Sequence, residues 1–369
     1  MRLVHLGMLQ EMVGDGLAVR VAVGPLDDGW SYAELALRAK RAGSWIRDLH
    51  GDRLVLADLN SEAIPLCLFG AALGGKPFVP VNYRLTDEQL RAIVARTAPS
   101  TVIVGEGIAA RLGPIDGVEY ATRAALLDAS VDEDRELADG WSGDADDIAV
   151  LLFTSGTTGE PKAAVLRHRN LASYVVSSVE FGGAAEQEAA IVSVPPYHIA
   201  GISAVVSSAY GGRRIVYLES FDAAAWVETV RRERISRDGR PDHAHPILDI
   251  VDADDGGLPS LRALSYGGGP MPLPVIERAM GTLPDVGFVN AYGLTETSST
   301  IAVLGPDDHR AAFASSDPAA RLRLASVGRP LPAIEVSIRD PFGEAVGPGE
   351  RGGDLGSGRA GLGSISAVR

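Results

Sequence analysis

The chain has 369 residues, of which 46% are hydrophobic and 22% charged, and its formal net charge is −14. This acidic balance disfavours nucleic acid and anionic membrane surfaces as partners, because both are bound through basic patches. Cys67 is the only cysteine, which excludes an internal disulfide and a zinc site built on thiolates. Neither a leader peptide nor an apolar run of the roughly 18 residues of a membrane helix is found, so we expect a soluble, cytoplasmic protein.

The first part of the chain alternates short apolar strands with helices. Ser31 and Glu34 have the spacing of a capping box and predict a helix start, and Cys67 lies in an apolar helical run. Such alternation predicts an α/β fold with a parallel sheet between helices. Residues 112–147 are acidic and poor in aromatics, which indicates a solvated connection. Beyond the Ser31 helix, strands are predicted at 54–59, 78–81 and 101–104, and helices at 63–74 and 87–97.

An apolar run at residues 148–153 predicts a buried strand, and a loop of small residues follows it. The loop reads Thr154, Ser155, Gly156, Thr157, Thr158 and Gly159, with Lys162 shortly after. Small residues expose backbone N–H groups that can wrap an anion, and the lysine adds a mobile cation. This pattern predicts a site for the β- and γ-phosphates of a nucleotide. The alternative is a flexible linker, which the preceding strand and the lysine disfavour; the P-loop pattern is not matched.

Three further motifs follow strands predicted at 190–195, 263–266 and 286–290. The first contains His198, whose alternative role is to cap a helix. The second is Gly267, Gly268, Gly269 and Pro270, where a flat ring could lie against backbone unless the run is a plain turn. The third contains Tyr292, Gly293, Thr295 and Glu296: a ring that can stack, a hydroxyl for phosphate and a hard oxygen ligand for Mg²⁺, with a surface carboxylate as the alternative. Helices are predicted at 170–180 and 221–234, strands at 214–216 and 334–338, and a hairpin turn at 340–347.

The loop from Thr154 to Lys162 and the string from Tyr292 to Glu296 resemble the two strongest signatures of the adenylate-forming, or AMP-binding, superfamily. The resemblance covers roughly residues 25–350. It implies an N-terminal domain of about residues 1–326, built from two doubly wound αβ subdomains packed together, about 1–170 and 171–326. It further implies an incomplete β-rich third subdomain over about 327–369 and the absence of the family's C-terminal lid domain.

The resemblance also implies roles for the motif residues. Lys162 and the loop would hold pyrophosphate. The adenine would be bound by the Gly267–Pro270 run together with Tyr292 and Gly293. His198 would border the carboxylate pocket. Thr295 would bind the α-phosphate and Glu296 the Mg²⁺ ion. The implied activity is ATP-dependent conversion of a carboxylic acid, first of all a fatty acid, to an acyl-adenylate and then to an acyl-coenzyme A. A fatty acyl-AMP ligase feeding a carrier protein and a non-catalytic nucleotide-binding remnant are the alternatives. The oligomeric state is not predicted.

Two segments depart from the family pattern. Residues 237–246 carry charges and prolines where the family has an apolar strand, and residues 351–369 are rich in glycine and serine. When the two segments are back-translated into codons and read one base later, both can encode residues like those of the family. A displaced reading frame is therefore one explanation. A natural surface loop with a disordered tail is the other. Because burying Arg237, Asp238 and Arg240 without partners would cost several kcal/mol, we expect the first segment to loop into solvent.

The second segment carries expectations of its own. We expect the tail to be disordered, Val336 and Ile338 to be exposed, and the chain to be poorly soluble. With the lid and its catalytic lysine absent, we expect little or no adenylation by the 369-residue chain.

Overall fold

The computed structural model of the chain describes residues 5–138, 143–154, 161–239, 244–253, 256–332, 334–347, 350, 353–358 and 365–366. Helices and strands alternate along most of these residues, and the strands form three sheets of six, nine and three strands. The predicted α/β class is confirmed. None of the helices within the described ranges combines the length and apolarity needed to cross a bilayer.

The six-stranded sheet is built in the first half of the chain. Its strand order is β6-β5-β3-β4-β7-β8, and all neighbours are parallel except β7 and β8, which form an antiparallel pair. The elements of this half are α1 (Leu6–Gly16), β1 (Val21–Val23), β2 (Trp30–Ser31), α2 (Tyr32–Asp48), β3 (Arg53–Ala57), α3 (Ala63–Gly74), β4 (Phe78–Pro80), α4 (Asp87–Ala95), β5 (Ser100–Val104), α5 (Ile108–Leu112), β6 (Val118–Thr122), α6 (Arg123–Val131), β7 (Ile148–Thr154), β8 (Lys162–Arg167) and α7 (His168–Ser178).

The other two sheets are built mainly from the second half. The nine-stranded sheet has the order β15-β14-β13-β12-β11-β9-β10-β1-β2, and β9 to β13 run parallel within it. The third sheet, β16-β17-β18, is antiparallel. The elements are β9 (Ala189–Val192), α8 (Ile199–Gly211), β10 (Arg214–Tyr217), α9 (Ala223–Arg232), β11 (Arg237–Asp238), α10 (Ala244–Ala253), β12 (Ala263–Gly267), α11 (Leu273–Thr282), β13 (Gly287–Leu294), a 3-10 turn (Thr295–Thr297), β14 (Ser299–Leu304), α12 (Pro306–Ala314), α13 (Pro318–Arg321), a second 3-10 turn (Leu322–Ala325), β15 (Arg329–Pro330), β16 (Ile334–Arg339), β17 (Gly353–Gly358) and β18 (Ile365–Ser366).

Local sequence signals account for the helices that pack on the first sheet. Ser31 Oγ accepts a hydrogen bond from the Glu34 backbone N–H at 3.2 Å, and Glu34 Oε2 accepts one from the Ser31 N–H at 2.8 Å, so the predicted capping box starts α2. Helix α3 is apolar on all sides because it is enclosed by α2, α1 and the sheet. Cys67 is fully buried within it, and burial raises the pKa of its thiol. The expected core role of Cys67 is therefore confirmed.

The acidic stretch after α5 is not the solvated connection that its composition predicts. Strand β6 extends the sheet by pairing along β5, and α6 packs on α2 with Leu126 and Ala129 buried. The prediction failed because most acidic residues of this stretch lie outside β6 and α6, in which only Glu119 and Asp128 are acidic. Residues 139–142 lie outside the described part of the chain.

The charged segment at residues 237–246 does not loop into solvent where it is described. Arg237 and Asp238 form strand β11 in the nine-stranded sheet, and α10 begins at Ala244. Arg237 stays exposed and pairs with Glu188 at 3.2 Å, whereas the buried Asp238 carboxylate accepts a hydrogen bond from Trp226 Nε1 at 3.0 Å. The expectation of a solvent-exposed loop was wrong for Arg237 and Asp238 because each of them finds a partner within the sheet region. Residues 240–243, including Arg240, lie outside the described residues.

The tail is also more regular than predicted. Strand β17 pairs antiparallel with β16 over six residues, from Ile334 opposite Gly358 to Arg339 opposite Gly353. The prediction of disorder is wrong for this strand, because the ladder uses backbone groups and does not require apolar side chains. Ile338 is 41% exposed, as expected, whereas Val336 is only partly exposed.

Two stacked histidines join the start of the chain to the end of β8. The rings of His5 and His168 lie 3.5 Å apart and are buried. His5 Nδ1 accepts a hydrogen bond from Gly7 N at 3.0 Å, and His168 Nδ1 accepts one from Leu6 N at 3.4 Å. Both rings are thus held neutral with the proton on Nε2. Burial lowers the pKa of His5 to about 4, against an opposing effect of Asp147, and burial with the neighbouring His5 lowers that of His168 to about 3.

This pair predicts that the fold loses stability in mild acid. Below pH 6.5 the unfolded chain binds protons at both histidines while the folded chain does not, so the free energy of unfolding falls as the pH drops toward the folded pKa values. Between pH 7 and pH 5.5 we expect a loss of about 2 kcal/mol from the two sites. Urea unfolding at the two pH values measures it. His168→Gln should reduce this dependence, and the exposed control His50→Gln should not; equal pH dependence in all three proteins would contradict the assignment.

Candidate active site

The carboxyl ends of the parallel strands of the two large sheets face each other. Asn60, just after β3, donates through Nδ2 to the Leu218 carbonyl at 3.2 Å, just after β10. Tyr83, which follows β4, meets Tyr197, which follows β9, edge to face at 5.7 Å between ring centroids. Ligands of α/β sheets bind at such edges. The predicted site residues that the structure describes lie at or near strand ends of both sheets. We call the junction between the two sheet edges the seam.

The predicted phosphate loop is the turn of the β7–β8 hairpin. Thr154 is the last residue of β7 and pairs with Lys162, the first of β8, with Thr154 Oγ1 donating to the Lys162 carbonyl at 3.4 Å. The Lys162 side chain is exposed. The predicted loop residues between them lie outside the described part of the chain, namely Ser155, Gly156, Thr157, Thr158 and Gly159.

Arg96 supplies a cation at the base of this hairpin that sequence reasoning missed. Its guanidinium donates to the Pro161 carbonyl and lies 5.2 Å from the centroid of the Phe153 ring. Arg96 therefore contacts strand β7 at Phe153 and also Pro161, the residue directly before Lys162. No local signal could have identified it, because it is 65 residues away from Pro161 in the chain.

The glycine run lies at the carboxyl end of β12. A Cβ at Gly267 would lie 2.0 Å from the Ala291 carbonyl oxygen of β13, so glycine is required for the two strand ends to approach this closely. Gly268, Gly269 and Pro270 are exposed, and a Cβ at Gly268 or Gly269 would meet no atom within 4 Å. The run is thus an open backbone surface, as a site for a flat ring requires.

Tyr292 and Gly293 lie on the neighbouring strand β13. Tyr292 is partly buried and lines an apolar cleft of about 360 Å³ together with residues of β14, β15 and β16. A Cβ at Gly293 would lie 1.8 Å from the Ser299 carbonyl oxygen, so here also a glycine lets two backbone segments nearly touch. Because β12 and β13 pair with each other, Tyr292 and the glycine run lie at the ends of adjacent strands.

Thr295 and Glu296 form the 3-10 turn between β13 and β14. Strand β8 lies next to this turn, although it belongs to the other large sheet. Thr295 is partly buried and Glu296 is exposed. Within the described ranges, no three acidic, histidine or cysteine side chains cluster as a metal site. The donor set at Glu296 thus fits Mg²⁺ only as an ion that arrives with phosphate oxygens, which is the usual way this ion is held.

His198 is the N-cap residue of α8, but its side chain makes no capping hydrogen bond. Its backbone N–H donates to the Pro195 carbonyl at 3.1 Å, and its exposed ring lies 4.8 Å from that of Tyr197. His198 therefore occupies the capping position that the alternative expects, but its side chain does not cap the helix. Helix α8, which follows His198, contacts β14.

Comparison with known proteins assigns the family. The family model described as AMP-binding enzyme matches residues 15–361. The chain belongs to the AMP-binding enzyme family. It is 32% identical to the feruloyl-CoA synthase of an Amycolatopsis species, over 87% of this chain and 63% of that protein. It is 27% identical to the fatty acid–[acyl-carrier-protein] ligase ScoC of Streptomyces coeruleorubidus, over 82% of this chain and 58% of that protein.

Solved structures support the fold of this AMP-binding chain. The o-succinylbenzoate CoA synthetase of Bacillus subtilis, in complex with its acyl-adenylate intermediate, superposes with a TM-score of 0.77 at 23% identity, over 95% of this chain and 69% of that chain. The chain spans about 63% of the length of the feruloyl-CoA synthases it matches. It therefore corresponds to the larger part of an AMP-binding enzyme.

A buried hydrogen bond supports β12 next to the glycine run. His309 Nδ1 lies 2.8 Å from the Gly305 carbonyl and must donate to it, so His309 Nε2 accepts from the Tyr266 hydroxyl, also at 2.8 Å. Burial lowers the pKa of His309 and raises that of Tyr266 to about 12, so both groups stay neutral at ordinary pH. Tyr266 directly precedes Gly267, and this pair therefore anchors the strand end that carries the glycine run.

Gly293 gives a direct test of the close packing at the turn. Gly293→Ala places a methyl group against the Ser299 backbone, and we expect loss of nucleotide binding together with a destabilisation of about 1–3 kcal/mol. Gly281→Ala is the matched control: it adds the same methyl group in α11, where a Cβ meets nothing within 4 Å. Nucleotide titration followed by calorimetry measures the effect. Equal affinity in both variants would show that the turn tolerates the displacement.

Proposed function

We propose that this chain carries the nucleotide-binding and adenylating part of an AMP-forming acid–thiol ligase. One observation carries the proposal: β8, which begins with Lys162, and the turn with Thr295 and Glu296 lie side by side although they belong to different sheets. We infer that the Lys162 cation, the Thr295 hydroxyl and the Glu296 carboxylate face the same part of the seam. Their types match the charges of a nucleoside triphosphate, and the family membership supports the same activity.

The proposed chemistry has two steps. A carboxylate oxygen of the substrate attacks the α-phosphorus of ATP, and the bond to pyrophosphate breaks, which leaves an acyl-adenylate. The sulfur of coenzyme A then attacks the acyl carbonyl and AMP departs with the bonding electrons. The first step concentrates negative charge around phosphorus, so catalysis depends on positioning and on fixed complementary charges.

Each predicted residue has a part in this proposal. Lys162 binds the leaving pyrophosphate, and Thr295 donates its hydroxyl to the α-phosphate. The adenine lies between Tyr292 and the open glycine run. His198 borders the substrate carboxylate. Glu296 holds Mg²⁺ together with phosphate oxygens, and when bound this ion neutralises part of the phosphate charge.

The substrate is proposed to be a small carboxylic acid. Feruloyl-CoA synthase and o-succinylbenzoate CoA synthetase are named for aromatic acids, whereas ScoC is named for fatty acids and a carrier protein. The aromatic class has the more similar named relative, so we rank an aromatic acid with coenzyme A above the fatty acid first expected. A fatty acyl-AMP ligase that serves a carrier protein is the second candidate.

Nucleotide binding is the first test of the proposal. A ligand that binds only the folded state stabilises it by about 2.7 kcal/mol at 100 times its dissociation constant. Mg-ATP and AMP should therefore raise the melting temperature, and Lys162→Met should weaken the effect of ATP more than that of AMP, because only ATP has the β- and γ-phosphates. Lys40→Met, in α2, serves as the control. A folded protein whose melting temperature does not respond to millimolar nucleotide would contradict the site.

Glu296 is tested by its dependence on the metal. Glu296→Gln keeps the shape of the side chain and removes its charge, so we expect ATP binding to require at least about tenfold more Mg²⁺, with little change in melting temperature, since Glu296 is exposed. Glu186→Gln, another exposed glutamate, should behave like the wild type. The same Mg²⁺ requirement in all three proteins would remove Glu296 from the metal site.

Carboxylate-dependent exchange of pyrophosphate into ATP measures the first chemical step, and it decides between the adenylation proposed here and the little or no adenylation expected from the sequence. The exchange rates with a panel of cinnamic-type and fatty acids rank the substrates. A comparison of thioester formation with coenzyme A and with a phosphopantetheinylated carrier protein identifies the thiol. Nucleotide binding without exchange for any acid would favour the alternative of a non-catalytic nucleotide-binding remnant.

A further inference from the structure

A buried hydroxyl lies at the centre of the turn that carries Thr295 and Glu296. Thr297 is only 5% exposed, and its Oγ1 accepts a hydrogen bond from the Leu294 N–H at 2.9 Å. The same oxygen lies 2.8 Å from the Leu294 carbonyl and 2.7 Å from the Ser299 carbonyl. A hydroxyl has one proton, so it donates to one carbonyl at a time. One side chain thus ties the last residue of β13 to the first residue of β14.

The backbone next to Thr297 is held in a costly conformation. Ser298 and Ser299 have φ angles of +59° and +109°, in the region that residues with side chains rarely adopt. Both are buried. Conformations of this kind persist only when surrounding contacts fix them, and they concentrate at functional sites. Here the surrounding contacts include the Thr297 hydroxyl and the close approach of Ser299 to Gly293.

Apolar packing contributes little to the outer part of the turn. Leu294 is 36% exposed, and Glu296 is exposed as well. The hydrogen bonds of Thr297, together with that of the Ser298 N–H to the Thr295 carbonyl at 3.1 Å, restrain the path of the backbone through Thr295 and Glu296. Loss of those bonds changes the local geometry of the turn while the two large sheets keep their cores.

We propose that Thr297 is a positioning residue for the adenylation reaction. Its hydroxyl keeps the strained turn in the one form that presents Thr295 and Glu296 together to the nucleotide, and this inference rests on the function proposed above. Thr297 does not itself touch the substrate in this proposal. The required chemistry is a small hydroxyl that both accepts and donates, which serine supplies and valine does not.

The test compares three variants with the wild type. Thr297→Val is nearly isosteric and removes the hydroxyl, Thr297→Ser restores it, and Thr101→Val removes another buried hydroxyl, which donates to the His50 carbonyl at 2.9 Å at the start of β5. Carboxylate-dependent pyrophosphate exchange gives kcat and KM, a Mg²⁺ titration gives the metal requirement, and hydrogen exchange reports on the Leu294 amide.

We expect Thr297→Val to lower kcat by about 10- to 100-fold, because small displacements of positioned groups cost this much, and to raise the Mg²⁺ requirement, with KM for the acid within about threefold of the wild type. Thr297→Ser should stay within about threefold of wild-type kcat. Thr101→Val should lose about as much thermal stability as Thr297→Val does, and it should keep wild-type kcat. A Thr297→Val protein with wild-type kcat and Mg²⁺ requirement would overturn the proposal, as would a Thr101→Val protein that loses the same activity.

An inactive wild type would overturn the proposed function and still leave Thr297 testable. The Leu294 amide must then exchange faster in Thr297→Val than in the wild type, and Thr297→Ser must restore its protection. Unchanged protection in Thr297→Val would overturn the positioning role without any reference to catalysis.

Discussion

Parallel strands joined by helical crossovers all end at one edge of their sheet, and in this chain two such edges meet. The contact is made by groups just beyond the strands, such as Asn60 with the Leu218 carbonyl and Tyr83 with Tyr197. Backbone carbonyls and N–H groups that leave a ladder at this edge need new partners. The seam therefore carries backbone polar groups from both sheets, and the positions of the described candidate site residues depend on how the two sheets meet there.

The two motifs at the seam share one architectural device. The phosphate-loop motif connects parallel strand β7 to antiparallel strand β8, and the Tyr292–Glu296 motif connects parallel strand β13 to antiparallel strand β14. In each case the chain turns back at the carboxyl edge, so ladder hydrogen bonds hold both ends of the motif. A loop held in this way can place small polar groups accurately without a core of its own, which suits a site for a highly charged ligand.

Sequence patterns predicted the parts of this structure that depend on neighbouring residues. The capping box of Ser31 and Glu34 and the all-apolar run around Cys67 are local signals, and the motif strings each contain several chemical groups in a short span. Asp238 was mispredicted because its partner, Trp226, comes from a different element and is not visible in the pattern. The support given by Arg96 and Thr297 was missed because it consists of side-chain contacts that form only in the folded chain.

The stacked histidines have a practical consequence for handling the protein. His168 is the first residue after β8, and β8 begins at Lys162. The stacking of His5 on His168 therefore joins the start of α1 to the strand whose other end lies at the seam. Deleting His5 together with α1 would leave the His168 ring without its stacking partner and loosen the end of β8 that lies away from the seam. Fusion tags and protease sites are therefore best placed ahead of His5 with a flexible spacer, so that helix α1 stays packed on α2, α3 and α7.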